Sequence, residues 1–326
     1  MIIIRVGDPH ITIRNLSDGE KLVDFIIKIA KENDADSVEF MGDLFHTHAV
    51  VRIEVIDFWK RAFIKIGKEA GVPILTLVGN HDQPGSKEKE YLSALDVFSE
   101  MDHVKVVNKP FQIEKTIYVP YMGNKNDFLD VVNKAYKNGA TKMLVAHQTF
   151  TGATYENGFY DKDGIEPGLV PQERIISGHI HRQQVIDKCH YIGTPKWDTM
   201  ADANEDKGIW IFKHAKDGSV TKSEFVSTKD IVTPIYKYVV KEGEIVPELN
   251  KNAKNFIEFQ GSTAWIGKMK KKYKGHAQIK AKPTDKRMDR LDLDKNVGLL
   301  EYLEKYFKIT DGVEKKEIKK YLKEVA

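Results

Sequence analysis

Met1–Ile11 reads MIIIRVGDPHI: an apolar run over Ile2–Val6, then Gly7, then Asp8 and His10 on either side of Pro9. A short run rich in Ile and Val has the character of a buried strand, and here the polar pair stands just past its carboxyl end. The same order recurs four times. Val38–Met41 precedes GDLFH (Asp43, His46), Pro73–Val78 precedes GNHD (Asn80, His81, Asp82), Lys142–Ala146 precedes HQ (His147), and Arg174–Ser177 precedes GHIH (His179, His181). Ligands of open α/β sheets bind beyond the carboxyl ends of the strands, so five such ends on one edge would gather these residues. Glycine just before four of the five clusters leaves room for close backbone approach.

Helical patterns separate the runs. Ser17–Asn33 carries Leu22, Val23, Ile26 and Ile29 on one face, with Ser17 and Glu20 placed as a capping box. Val51–Ala70 repeats the period with Val55, Trp59, Phe63 and Ile66 and is closed by Gly71 and Pro73. Tyr91–Met101 and Phe128–Asn138 also read as helices, the second closed by Gly139. Alternating strands and helices predict an α/β domain with covered sheets. From Arg182 onward HYIGTP, KGIWIFK and SEFVST are strand-like, and this first domain is expected to end at 235. A small second unit over 236–291 contains strands at Glu258–Gln260 and Ala277–Lys282. A tail over 292–326 follows, with two amphipathic helices: Val297, Leu300, Leu303 and Phe307 on one, Ile318, Tyr321, Leu322 and Val325 on the other.

The donor set is informative. Asp, His and one Asn give an oxygen and nitrogen shell with no thiolate, which suits Mn, Fe or Zn better than a structural zinc site. Asp8-x-His10 and His179-x-His181 place both members of a pair on one side of an extended strand. Seven candidate ligands exceed the needs of one ion and suit two, with a carboxylate shared between them. Taken singly, each piece has a plain structural alternative: a satisfied histidine, a Gly-Asn turn, an Asp that caps a helix. Five strand ends delivering ligands in this order outweigh those alternatives. Asp82 either orients its neighbour His81 or ends the turn, and the sequence favours neither.

Composition bounds the rest. With 326 residues, 41% hydrophobic and 30% charged, the chain has the makeup of a soluble multidomain protein without an apolar run of bilayer length. MIIIRVGDPH does not resemble a signal peptide, and the single Cys189 excludes an intrachain disulfide and suits a reducing cytoplasm. Lys251–Arg290 holds twelve Lys or Arg against Glu258, Asp285 and Asp289, +9 of a total +3, which leaves −6 elsewhere. Such a segment is either a polyanion contact or a solvated lysine-rich surface.

The order D-x-H, GD, GNHD, H, GHxH resembles that of calcineurin-like metallophosphoesterases, and within them the SbcD-type DNA repair and recombination nucleases, including those of T-even-like bacteriophages. GDLFH in place of the phosphatases' GDxxDR, HQ after the fourth strand, and HYIGTP followed by KGIWIFK carry the closer likeness, over roughly Met1–Lys213. The resemblance implies a four-layer αββα sandwich of two mixed sheets flanked by helices, with a small cap domain and a helical tail. It implies two divalent cations, Mn2+ foremost with Mg2+ as the alternative: one held by Asp8, His10 and His181, the other by Asn80, His147 and His179, with Asp43 bridging. His81 would contact the scissile phosphate and serve the leaving oxygen, with His46 near the same phosphate. Pro9 departs from the usual residue in the first motif; it removes a backbone donor but keeps both ligands.

The implied activity is double-strand exonuclease and single-strand endonuclease action, within an SbcCD-type complex. The partners are DNA and an SMC-like coiled-coil ATPase of the SbcC type, the nuclease forms a homodimer, and it works in the cytoplasm, the host's if phage-encoded. A small-molecule phosphodiesterase or phosphatase on the same fold is the alternative; the missing DR after GD, the basic segment and the tail argue against it. A catalytically dead binding subunit would show eroded ligands, and here all are present. The two tail helices pack either on their own domain or on the partner.

Overall fold

The computed structural model describes residues 1–48, 50–84, 92–215 and 218–284. The chain runs β1 (Ile2–Val6), α1 (Leu16–Glu32), β2 (Ser37–Phe40), α2 (Ile53–Glu69), β3 (Ile74–Leu77), β4 (Val104–Val107), β5 (Phe111–Ile113) and β6 (Thr116–Val119). It continues with α3 (Lys125–Gly139), β7 (Met143–His147), β8 (Arg174–Gly178), β9 (Gln184–Ile186), β10 (Cys189–Tyr191), β11 (Gly208–His214) and β12 (Val220–Ser227). Last among the described residues come β13 (Ile235–Lys241), β14 (Lys254–Gly261), α4 (Thr263–Tyr273) and β15 (Gln278–Pro283).

Two six-stranded sheets form the larger unit, in the orders β12-β11-β1-β2-β3-β4 and β5-β6-β7-β8-β10-β9. β1 through β4 are parallel, as are β6, β7, β8 and β10; antiparallel strands close the β12 edge of the first sheet and both edges of the second. Strand alternation explains the layers. Ile4, Val6, Val38, Phe40 and Ile74 face α1 and α2, where Trp59, Phe63 and Phe98 complete an aromatic core. The opposite faces of the two sheets meet through Met41, Leu75, Leu77, Val145, Ile176 and Phe212. Phe128 and Val132 of α3 cover the outer face of the second sheet. The result is helix, sheet, sheet, helix.

That alternation also puts charge between the sheets. Arg5 and Glu39 are cross-strand partners whose side chains point away from the helices; Nε donates to Glu39 Oε2 at 2.8 Å, both groups buried. The Tyr118 hydroxyl, from the other sheet, donates to Glu39 Oε1 at 2.7 Å. Arg5 also lies over the Phe212 ring and bonds His214 Nε2. Removing one member of such a buried pair strands the other and typically costs about 3–5 kcal/mol.

Three local readings need correction. Helix α1 starts at Leu16 behind Asn15, and no capping box forms at Ser17; the Asn15 side chain instead accepts from Thr12 N–H and donates to the His10 carbonyl. The helix expected at Tyr91–Met101 is a single 3-10 turn, Ala94–Phe98, because Leu95 and Phe98 supply buried positions for one turn only; Tyr91 itself lies outside the described residues. Gly139 does not close α3, since Ala140 takes the left-handed conformation (φ 48°) there.

The chain divides into Met1–Lys237 with Leu249–Phe256, and Tyr238–Glu248 with Ile257 onward. The boundary expected at 235 thus falls inside β13. In the second unit WIGKMKKKY forms α4, capped by Ser262 Oγ, with Ile266 buried and Lys268, Lys270, Lys271, Lys272 and Lys274 exposed. Lys280 and Lys282 project from β15, the former 3.3 Å from Glu258. Residues 285–326, which include Arg290 and the tail helices, lie outside the described residues. No described helix is long and apolar enough to cross a membrane.

Candidate metal centre

Parallel β1, β2 and β3 end on one edge of the first sheet, and parallel β7 and β8 on one edge of the second. The residues that follow them meet. His10 Nε2 is 3.0 Å from His181 Nε2, and Asp8 joins that pair. His147 Nε2 is 3.1 Å from Asn80 Oδ1, and His179 Nδ1 is 2.7 Å from the same oxygen. Asp43 stands between: its Oδ2 is 3.6 Å from His10 Nε2 and 3.3 Å from His147 Nε2. All seven predicted ligands therefore fall in two lobes, one of Asp8, His10 and His181, one of Asn80, His147 and His179, each touching Asp43.

The backbone is bent to achieve this. His10, Asp43 and His179 adopt left-handed conformations (φ 43°, 51° and 79°), which cost non-glycine residues free energy and persist at functional sites. Two glycines make the approach possible. A Cβ on Gly79 would lie 2.1 Å from Asp43 Oδ1, and one on Gly178 would lie 2.6 Å from Asp8 Oδ1. Asp82 neither orients His81 nor merely ends the turn: its oxygens accept from Gly79 N–H at 3.0 Å and Phe45 N–H at 3.1 Å, tying two ligand loops together.

The set fits divalent cations on its own chemistry. Asp8 Oδ1 is buried without a hydrogen-bond partner. His10 and His147 bring Nδ1 to the Phe45 and Met41 carbonyls at 3.1 and 2.8 Å, which places a proton there and turns Nε2 toward the other ligands. Burial holds His10 and His181 below the usual imidazole range and takes His179 to about 3, so these rings are neutral, as ligands must be. Burial acts on His147 in the same direction, but Asp43 and Asp8 outweigh it and raise the ring to about 9, so it carries a second proton, at Nε2, that an incoming cation would displace. Burial likewise pushes Asp43 upward, and His147, His10 and His81 overcome it and hold the carboxyl ionised.

His81 stands over this floor, half-buried. Its main-chain N–H donates to Asp43 Oδ1 at 2.8 Å and its Nδ1 meets the His46 carbonyl at 2.7 Å, so Nε2 is left available. Burial lowers its pKa. His46 is exposed, with its ring 5.4 Å from His10 and 5.9 Å from His81. Sequence reading passed over His48, which stacks on His81 at 4.1 Å and bonds the Asn80 carbonyl at 2.8 Å; its spacing of two from His46 was the available signal. It also passed over Tyr121, whose ring lies 5.6 Å from His179 and which no motif marks.

Two mixed sheets flanked by helices, with Asp, Asn and His lobes on one edge that share a carboxylate, define a metal-dependent phosphoesterase scaffold. Residues 1–183 match the Calcineurin-like phosphoesterase family, and the chain belongs to it; members of that family use divalent metals. The chain is similar to "Exonuclease subunit 1" of Enterobacteria phage T4, 25% identical over 238 residues, 69% of this chain and 67% of that protein. It is 26% identical over 202 residues (59% of this chain, 56% of the other) to a protein of Invertebrate iridescent virus 3 named provisionally as a phosphoesterase. It is also 25% identical over 193 residues to "DNA double-strand break repair protein Mre11" of Saccharolobus solfataricus, 55% of this chain and 49% of that protein. The chain thus spans about half the length of the last two.

Proposed function

We propose that this protein is a two-metal DNA nuclease, exonucleolytic on duplex and endonucleolytic on single strands, and the nuclease subunit of an SbcCD-type complex for double-strand-break repair and recombination. The observation that carries the reading is the pair of lobes sharing Asp43 Oδ2. The names of the phage and archaeal relatives, a nuclease subunit and a repair protein, support DNA as the substrate. Asp8, His10 and His181 would hold one ion, Asn80, His147 and His179 the other, with Asp43 reaching both. Bound divalent cations, Mn2+ foremost, supply Lewis acidity toward a phosphodiester and make water more acidic.

The protein's own groups do the rest. Burial of the ligand floor excludes bulk water from beneath the phosphate and strengthens every charge interaction there. His81, held by two hydrogen bonds with Nε2 turned toward the site, would contact the scissile phosphate and stabilise the leaving oxygen, or protonate it when the ring is charged. His46 lines the approach of the same phosphate. In the second unit the exposed lysines of α4 and β15 attract the backbone of DNA. Residues 292–326 are assigned to an SbcC-type coiled-coil ATPase, two nucleases associate as a homodimer, and the work is cytoplasmic.

The test uses purified protein with linear duplex, single-stranded DNA circles and a small aryl phosphodiester, each with Mn2+ and with Mg2+. Cleavage of both DNAs in Mn2+ supports the reading. Turnover of the small ester with both DNAs left whole would replace it by a small-molecule phosphodiesterase.

A further inference from the structure

The imidazoles of the two lobes are not supported alike. His10 and His147 rest on main-chain carbonyls. His181 turns Nε2 inward toward His10, and its Nδ1 faces a carboxylate, Glu156 Oε1, at 3.7 Å. That oxygen is buried and has no hydrogen-bond partner. Asp202 completes the group, with one oxygen, one of Glu156 and a His181 nitrogen all within 4.8 Å of one another.

A third cation site would be one reading of this cluster, but its charge is already met. Lys207, 1% exposed, places Nζ 2.7 Å from Asp202 Oδ1 and 3.1 Å from Glu205 Oε2. The same ammonium donates to the His181 carbonyl at 2.9 Å, beside the Thr194 N–H. Glu156 differs from Asp202. It sits on a short turn held by Tyr155 N–H to the Phe159 carbonyl, Asp161 N–H to the Ala153 carbonyl, and Thr154 N–H to Gln184 Oε1. Solvent is close by, yet the carboxylate points inward. Main-chain N–H groups of Glu156 and His181 hold this carboxylate, and they leave Oε1 unpartnered beside the His181 ring.

We propose that Glu156 is a positioning residue for His181. Lys207 fixes the main chain of His181, and Glu156 receives the proton of Nδ1, which keeps the Nε2 lone pair aimed at the first lobe. At 3.7 Å the ring nitrogen and the carboxylate oxygen are just beyond hydrogen-bond reach; a ring shift of under about 1 Å closes the bond. A carboxylate behind a ligand histidine fixes its tautomer and strengthens it as a donor, typically by about 10–100-fold in metal affinity. The inference rests on the two-ion reading above.

The experiment is an Mn2+ titration followed by electron paramagnetic resonance and calorimetry, with no activity readout. Wild type takes up two ions. Glu156→Gln weakens one of them by about 10–100-fold, and Glu156→Asp recovers part of the loss. In an Asn80→Ala background, which cripples the second lobe, Glu156→Gln keeps its whole effect; in a His10→Ala background, which cripples the first, it adds nothing. Unchanged binding in Glu156→Gln, or equal weakening of both ions, overturns the positioning role and leaves the two-ion reading in place. A wild-type protein that binds fewer than two ions overturns that reading, and this inference with it.

Discussion

Replacing Gly79 by alanine tests whether the shared carboxylate is held by backbone proximity. The added Cβ would stand 2.1 Å from Asp43 Oδ1, 2.5 Å from Asp43 N and 2.8 Å from Asp43 Cγ. Carbon atoms do not approach such groups closer than about 3.0 Å, so Asp43 or the Gly79 turn must retreat by about 0.9 Å (3.0 − 2.1). Neither can move freely. Asp82 ties Gly79 N–H to Phe45 N–H, and His81 N–H holds Asp43 Oδ1. We expect a loss of about 1–3 kcal/mol in stability from the overpacked contact. We also expect about 100-fold slower cleavage, the usual consequence of a reacting group displaced by about 1 Å. Both Mn2+ ions should bind more weakly, because Asp43 faces both lobes. Melts in a chelator separate the stability loss from the metal loss. Gly267→Ala is the control: it lies in α4 with nothing within 4 Å of a new Cβ, and should leave metal binding unchanged while adding roughly 0.5–1 kcal/mol. A Gly79→Ala protein with both ions bound as in wild type and full cleavage refutes the argument.

Four further outcomes are expected. His81→Ala abolishes cleavage while both ions stay bound, by elemental analysis; loss of an ion would make His81 a ligand instead. Asp43→Asn weakens both Mn2+ sites in titration, and weakening of one alone removes its bridging role. Neutralising Lys268, Lys270, Lys271, Lys272 and Lys274 lowers duplex affinity for all sequences and flattens its salt dependence by about 0.9 for each phosphate no longer neutralised; an unaltered slope returns this helix to plain solvent-facing surface. His190 and His214 are depressed to about 4, by burial first and then by Arg174 and Arg5. The unfolded chain takes up these protons below about 6.5 and the native protein only near 4, so the contribution of these two rings to stability is level above pH 6.5 and falls from there toward 4. Melts across that window should show a steeper decline in wild type than in His214→Asn; equal slopes in the two contradict it.

Much of the centre was legible because its signal is local. Each candidate ligand follows a strand whose Ile and Val content is plain, and parallel pairing carries the strand ends to one edge. What the sequence did not disclose depends on contacts between distant segments. Glu156, Asp202 and Lys207 belong to no motif, and only the fold brings them behind His181. Asp82 read equally as a partner of His81 or the end of a turn, and its oxygens instead tie two loops together. The left-handed φ of His10, Asp43 and His179 could not be read either, since residue type argues against it. Helix ends went astray for a related reason: Asn15 serves the His10 carbonyl before it serves α1, and a short-range capping pattern cannot show such a prior commitment. Residues 292–326 remain as the sequence leaves them, two apolar faces to be covered.

The Tyr118–Glu39–Arg5 tie has a practical consequence. A cut between β4 and β5 puts Asp8, His10, Asp43 and Asn80 on one fragment and His147, His179 and His181 on the other. Neither fragment owns a complete lobe, because the first lobe borrows His181 and the second borrows Asn80. Separated halves would therefore hold metal more weakly, and a gain in Mn2+ affinity would report their reunion in correct register. Tyr118 is the key that recognises that register, since its hydroxyl finds Glu39 only when the sheets are aligned. The domain is thus a natural candidate for a split reporter, in which Tyr118→Phe would blunt reassembly without touching a ligand.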